Sequence, residues 1–417
     1  MPDDQSSGGR PTRAGAAHGP ASHDTYGMNT RLSNGGRAGT RIHGFVNPPV
    51  VRGSTVLYPS VADRKAMGAK RLEQSLIYGV MGNPTHHALE DVVAAIEGGT
   101  RCQIVSSGLA AVTTPLLAYL GAGDHCLMPD SVYGPARTFC DGMLARMGVQ
   151  TTYYDPCISP DGIETLMQPN TKVLYLESPG SHTFEVQDVP GLAAVARARG
   201  ACVMLDNTWG IHFLQPFQLG VDVSIQALTK YVVGHSDVLL GSITTADPGH
   251  WERVRMASLA LGQYASPDDC WLALRGVRTM GVRLRQQMQS GIAVAEWFAS
   301  RPEVARVLHP ALPGAPGHEL WKRDFTGACS LFGVEFTPEW PQAAVHAMVD
   351  SLALFGIGAS WGGYESLALP TTGFVTRTAG CVQPQGQVVR FHIGLEDVPD
   401  LLADLEQGMA VMRAHGG

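Results

Sequence analysis

From about residue 89 onward, apolar positions along this chain alternate between two patterns. Stretches with apolar residues three and four apart predict helices at Leu89 to Glu97, Leu109 to Leu120 and Ala136 to Met147. Short, continuous apolar runs fall at Cys102 to Val105, His125 to Met128, Lys172 to Leu176, Ala201 to Leu205, Val221 to Ala227 and Leu239 to Thr244. Runs without in-out alternation suit strands covered on both faces, and strands that take turns with helices suit parallel crossovers. The pattern predicts a doubly wound α/β fold around a mainly parallel sheet, with ligands beyond the carboxyl ends of its strands.

After about Gly276 the pattern changes. A long amphipathic helix is predicted through Met280, Leu284 and Met288 toward Trp297, followed by a strand at Ser330 to Phe336 and a helix from Pro341. In the last predicted strand, Val388 to Ile393, Val389, Phe391 and Ile393 share one face while Arg390 and His392 share the other. A closing helix has Pro399 in its first turn and a stripe of Leu402, Leu405, Met409 and Met412. Residues 277–417 thus read as a smaller α+β domain and 83–276 as the ligand-binding domain. Residues 29–82 read as an N-terminal arm. Residues 1–28, rich in Gly, Ala, Ser, Pro and His without periodicity, read as a disordered tail.

Composition removes several function classes. At net charge −7 the chain offers no basic stripe for nucleic acid and no polybasic segment for a lipid surface, and no apolar run is long enough to span a bilayer. The eight cysteines are scattered without a CxxC pair, as expected in a reducing compartment, so a cytoplasmic location is the default. Asp3, Asp4 and Asp24 count against a transit peptide in the tail.

The candidate chemistry lies where strands end. One run closes as Leu205-Asp206-Asn207-Thr208-Trp209 and another as Ala227-Leu228-Thr229-Lys230. An aspartate leaving a buried strand can pair with a protonated pyridine nitrogen, and a shielded lysine can condense with an aldehyde, which points to pyridoxal phosphate. The turn Ser106 to Val112 joins a strand to a helix, where free amides and the helix dipole attract a phosphate and Gly108 lets the backbone come close. Pro115 is expected to kink that helix. Metal chemistry finds no support: His86 and His87 are adjacent, and His318-Glu319 lacks the second histidine of a zinc helix. Glycine fingerprints for dinucleotides or nucleoside triphosphates are also missing.

Beyond these, the chain resembles the Cys/Met-metabolism family of pyridoxal phosphate enzymes, specifically its β-lyase branch, from about Asn29 onward. The resemblance rests on Tyr78-Gly79 with Gly82-Asn83-Pro84-Thr85, Ser106 to Val112, Glu177 to Ser181, Asp206 to Trp209 and Asp222 to Asp237. It continues through Arg275 to Thr279 with Gly281-Val282-Arg283, Ser360 to Ser366 and Arg390 to Asp397. It implies fold type I, a seven-stranded mainly parallel sheet, and a pyridoxal 5'-phosphate cofactor held by Lys230 and Asp206. Tyr133 would stack on the ring and share proton transfer with Lys230. Gly108, Leu109 and Thr229 would hold the phosphate, and Tyr78 would reach the cofactor phosphate and the substrate of a neighbouring subunit. Ser360, Trp361 and Arg390 would bind a sulfur amino acid substrate. The implied reaction is β-elimination of L-cystathionine to homocysteine, pyruvate and ammonia, a transsulfuration step, in a homo-oligomer that is a dimer of dimers.

Alternatives attach to several of these residues. Tyr133 could be a plain packing tyrosine, and Arg390 could form a rim salt bridge with Glu396 or Asp397. Val80 stands where many members carry a second phosphate-binding arginine, and Ala227 where a serine is frequent; both substitutions weaken cofactor retention unless other groups compensate. Trp361 favours β-elimination over the γ-synthase, γ-lyase or sulfhydrylase reactions of relatives. A cysteine or cystine desulfhydrase and a non-catalytic cofactor-binding regulator are the remaining readings.

Overall fold

The computed structural model describes residues 26–37, 44–379 and 384–416. The tail expected over residues 1–28 lies, through residue 25, outside the described residues. In the arm, helices α1 (Met28–Asn34) and α2 (Val61–Gly68) precede α3 (Pro84–Glu97). The large domain follows as β1 (Arg101–Val105), α4 (Gly108–Tyr119), β2 (His125–Pro129), α5 (Gly134–Phe139), β3 (Gln150–Tyr154), α6 (Pro160–Leu166) and β4 (Thr171–Glu177). It continues with α7 (Val189–Ala198), β5 (Cys202–Asp206), β6 (Val223–Gln226), β7 (Gly241–Thr245) and α8 (Pro248–Ala260).

These seven strands form one sheet in the order β1-β7-β6-β5-β4-β2-β3. All neighbours from β6 to β3 are parallel, and β7 alone runs against both of its neighbours. The continuous apolar runs are explained by the two faces. In β4, Leu174 and Leu176 enter one core while Val173 and Tyr175 enter the other, and in β5 Val203 and Leu205 oppose Met204 in the same way.

Helix α9 (Pro267–Ala299) then leads to β8 (Val304–Leu308), α10 (His318–Asp324), β9 (Leu331–Phe336), α11 (Gln342–Ser351), β10 (Leu367–Pro370), β11 (Val388–His392) and α12 (Val398–His415). Strands β10-β11-β9-β8 make an antiparallel sheet over a separate core that includes Phe298, Phe332 and Phe391. Residues of α9 up to Leu284 pack on the large domain and Val294, Ala295 and Phe298 on the small one, so one helix spans both cores without a break at 276. No helix among the described residues is long and apolar enough to cross a membrane.

Several element boundaries differ from the expectation. Helix α3 starts at Pro84 rather than Leu89 because the Asn83 side chain accepts the N–H groups of Thr85 and His86. Helix α9 starts before Gly276, since Ser266 caps it and Asp268 and Asp269 lie in its first turn. Strand β3 reads Gln-Thr-Thr-Tyr-Tyr, an edge strand with no continuous apolar run to announce it. The expected helix from Ala136 opens as α5 and passes through a π-turn at Cys140–Leu144. On α12 the core residue of the first turns is Leu401, with Leu402 only partly buried.

Candidate active site

Where parallel strands end, side chains converge on a cavity of about 420 Å3. Glu177 closes β4 and Asp206 closes β5 as direct register partners, and the chain leaving β6 delivers Lys230 four residues past Gln226. Ser107 caps α4 by accepting the Ala110 N–H at 3.1 Å. That leaves the amides of Gly108 and Leu109 at the open first turn of a twelve-residue helix. A Cβ on Gly108 would stand 2.6 Å from the Ala227 Cβ, so this approach needs a glycine facing a small residue. Pro115 lies buried inside α4.

The charged groups here are held by neutral partners. The Lys230 amine donates to Ser360 Oγ at 2.9 Å and lies 5.2 Å from the Trp361 ring centroid. Burial, reinforced by Arg390 and opposed by Asp206, pushes the amine down to about 8. Arg390 donates to the carbonyls of Ala359 (2.9 Å), Ser360 (3.1 Å) and Gly358 (3.3 Å), and burial lowers it to about 10. No carboxylate pairs with it among the described residues. The salt-bridge alternative fails, because Glu396 accepts from the backbone and hydroxyl of Ser366 and Asp397 stands at the start of α12. The same strand supports the loop a second way: His392, pushed down to about 3 by burial, is neutral and accepts the Gly362 N–H at 3.1 Å.

Asp206 is raised by burial, while hydrogen bonds from Thr208 and the charge of Lys230 pull it the other way. Tyr133 lines the cavity half-exposed, and burial with Asp206 and Glu177 raises its hydroxyl, so the phenol keeps its proton. Thr229 also lines the cavity, but its hydroxyl donates to the Leu240 carbonyl and accepts the Leu240 N–H. To serve a phosphate it must turn away from that pairing. Tyr78 lies outside this cavity, half-exposed and bridged to Thr55, and Val80 follows in the adjacent turn.

The lining fits a phosphorylated pyridine aldehyde: an anion cradle at α4, an aldehyde-reactive amine at Lys230, and a carboxyl at Asp206 for a ring nitrogen. The structure brings together Gly108, Leu109, Tyr133, Asp206, Thr229, Lys230, Trp361 and Arg390, with Ser360 on the Lys230 amine. Sequence reasoning gave no role to Glu177, although its motif was in view. It gave none to His182 or Phe374 either, which also line the cavity, one from a turn and the other from the short 3-10 helix Thr372–Phe374.

Comparison with known proteins agrees with this geometry. The family described as "Cys/Met metabolism PLP-dependent enzyme" matches residues 29–410. A putative cystathionine beta-lyase from Rhizobium johnstonii is 50% identical over 392 residues, covering 93% of this chain and 97% of that protein. Cystathionine beta-lyase MetC of Escherichia coli is 43% identical, covering 92% of this chain and 98% of that protein. The crystal structure of a cystathionine gamma-lyase from Lactobacillus plantarum complexed with L-serine superposes with a TM-score of 0.85 at 27% identity, covering 93% of this chain and all of that one.

Proposed function

The chain belongs to the Cys/Met metabolism family of pyridoxal phosphate-dependent enzymes, and on that basis we propose that it cleaves L-cystathionine by β-elimination. Water and L-cystathionine give homocysteine, pyruvate and ammonia. The observation that carries this reading is the convergence of two cations on one short segment. The Lys230 amine rests on Ser360 Oγ, and the Arg390 guanidinium rests on the carbonyls of Ala359 and Ser360. A proton-transferring amine therefore stands beside a fork suited to an α-carboxylate.

Pyridoxal phosphate, when bound, supplies the electron sink that makes the Cα proton of an amino acid labile. Lys230, depressed to about 8, can take up and return that proton near neutral pH. Arg390 holds the carboxylate and so fixes which bond at Cα faces the amine. The protonated Tyr133 phenol is a second donor for the departing sulfur. Trp361, packed 5.5 Å from the Tyr231 ring, narrows the space beside the carboxylate, which supports release at Cβ over chemistry one carbon further.

We place the active unit in a homo-oligomer, a dimer of dimers, in which Tyr78 completes a neighbour's site. Its position outside its own cavity supports this, as do the exposed apolar Phe45 and Leu57 of the arm. A cytoplasmic setting is supported by the seven described cysteines, all free and six of them buried.

The test is product identity. Purified enzyme with L-cystathionine should release pyruvate and homocysteine; cysteine with 2-oxobutyrate would overturn the assignment. Lys230→Ala should lose the visible absorbance of bound cofactor together with pyruvate formation, and pyruvate release persisting in that variant would remove Lys230 from its role.

A further inference from the structure

Of the two carboxyls that line the cavity, Asp206 serves the cofactor nitrogen and Glu177 has no part in the chemistry above. Glu177 is only 7% exposed. One of its oxygens accepts the Tyr133 backbone N–H at 2.7 Å and the other accepts the Ser181 hydroxyl at 2.6 Å. Its own N–H donates to the Gln187 side chain at 2.9 Å, and its strand is in register with Asp206. We propose that Glu177 is a positioning residue, which holds the Tyr133 turn and the Ser181 loop at a fixed separation and so sets the plane against which the cofactor ring lies.

Tyr133 sits just ahead of α5, outside any strand, and its amide has no sheet partner to fix it. The Ser181 loop carries His182 and Phe184 with φ of 68° and 58°, conformations that non-glycine residues keep only where surrounding contacts hold them. Both loops end on one side chain that extends from the rigid end of β4. Without that side chain the Tyr133 amide loses its acceptor, and the turn is free to shift toward a new one.

The protonation state points the same way. Burial and the adjacent Asp206 push the Glu177 carboxyl up to about 8, opposed by Ser181, the Tyr133 amide and the charge of Arg377. A raised Glu177 favours its neutral form beside Asp206, whose negative charge a protonated ring nitrogen requires. With the proton on the oxygen that faces Ser181, the bond between them reverses and Ser181 becomes the acceptor. A glutamine reproduces that arrangement, its carbonyl on the Tyr133 amide and its NH2 on Ser181, whereas aspartate is one methylene too short to reach both loops.

The inference rests on the cofactor site and not on which thioether is cleaved. Holoenzymes carrying Glu177→Gln, Glu177→Asp and Glu177→Ala are compared by the circular dichroism induced in the visible band of bound pyridoxal phosphate, and by kcat. The Ala and Asp variants should lose most of the induced band and roughly 10- to 100-fold in kcat, the range expected for misplacement by about 1 Å. The Gln variant should recover most of both. Rescue by Asp but not Gln would show that charge matters rather than placement and overturn the proposal, as would induced dichroism unchanged in all three. The Gln variant is isosteric, which keeps the comparison free of misfolding, and an unexpected product in the assay would overturn the reaction assigned and not this placement.

Discussion

At the scale of single residues, the site depends on two cations, Lys230 and Arg390, that make no salt bridge among the described residues. Arg390 sits on three backbone carbonyls, which orient the guanidinium without neutralising it, so its charge remains available to a substrate carboxylate. A hydrogen bond to a charged group contributes roughly 1.5 to 3 kcal/mol. Arg390→Ala should therefore raise KM by roughly 10- to 100-fold while kcat falls less. Arg390→Lys should fall between the two, since an ammonium keeps the charge but not the fork. Steady-state kinetics checks this, and a pure kcat effect would place Arg390 elsewhere in the reaction. Both Lys230 and Arg390 could be picked out from the sequence, one by its strand end and one by its face on a short strand. Their common seat on Ser360, which is 130 residues from one and 30 from the other, could not.

At the scale of elements, the junctions of strands and helices do most of the placing. Alternation of apolar runs announced β1, β2 and β4 to β7, because strands covered on both faces must be apolar throughout. Strand β3 stayed hidden for the converse reason. Helix α3 is tied to the sheet by a buried acid: Glu97 accepts from Asn207 at 3.1 Å and from the side chains of Ser224 and Gln226. Burial, against these three donors, pushes its carboxyl up to about 8 from an ordinary value near 4.5. Between those values the folded chain holds a proton that the unfolded chain has released, so the stability from this site is complete below about pH 4.5 and lost as pH rises through 8. Glu97→Gln removes the titration. Thermal melting at pH 5 and pH 8 should show the unaltered protein losing more stability than the variant over that interval, and equal losses would show that Glu97 ionises normally.

At the scale of the whole molecule, Asp130, just past the end of β2, ties the large sheet to the segment around Thr378. Its carboxylate accepts the N–H of Thr378 (2.6 Å) and of Ala379 (2.9 Å) and pairs with the buried Arg137, while its carbonyl accepts from Arg377 at 3.0 Å. This ties down the segment that carries Phe374 onto the cavity wall. A carboxamide can satisfy Arg137 but not both amides as well, so Asp130→Asn should speed hydrogen exchange at Thr378 and Ala379 and raise KM. Unchanged exchange would show that other contacts hold the segment. Sharing of sites between subunits has its own check. A mixture of Tyr78→Ala and Lys230→Ala chains, each inactive alone, should regain activity after subunit exchange, and a mixture that stays inactive would count against a shared site.

The sequence by itself determined the layered fold and the cofactor class, because both follow from local facts: apolar periodicity, a glycine at a helix start, a charged residue where a buried strand ends. Tyr133, Thr229, Ser360, Trp361 and the role of Arg390 entered only through the resemblance to a known family. Tertiary structure alone decided which groups share a partner. Arg390 and Lys230 meet on Ser360, Glu177 spans two loops, and the Thr229 hydroxyl is already paired with Leu240. Those of Ser360 with Lys230 and Arg390, and of Glu177 with Tyr133, join segments 30 to 130 residues apart. Their geometry is set by the packing of two cores joined through α9, which no local pattern of residues records.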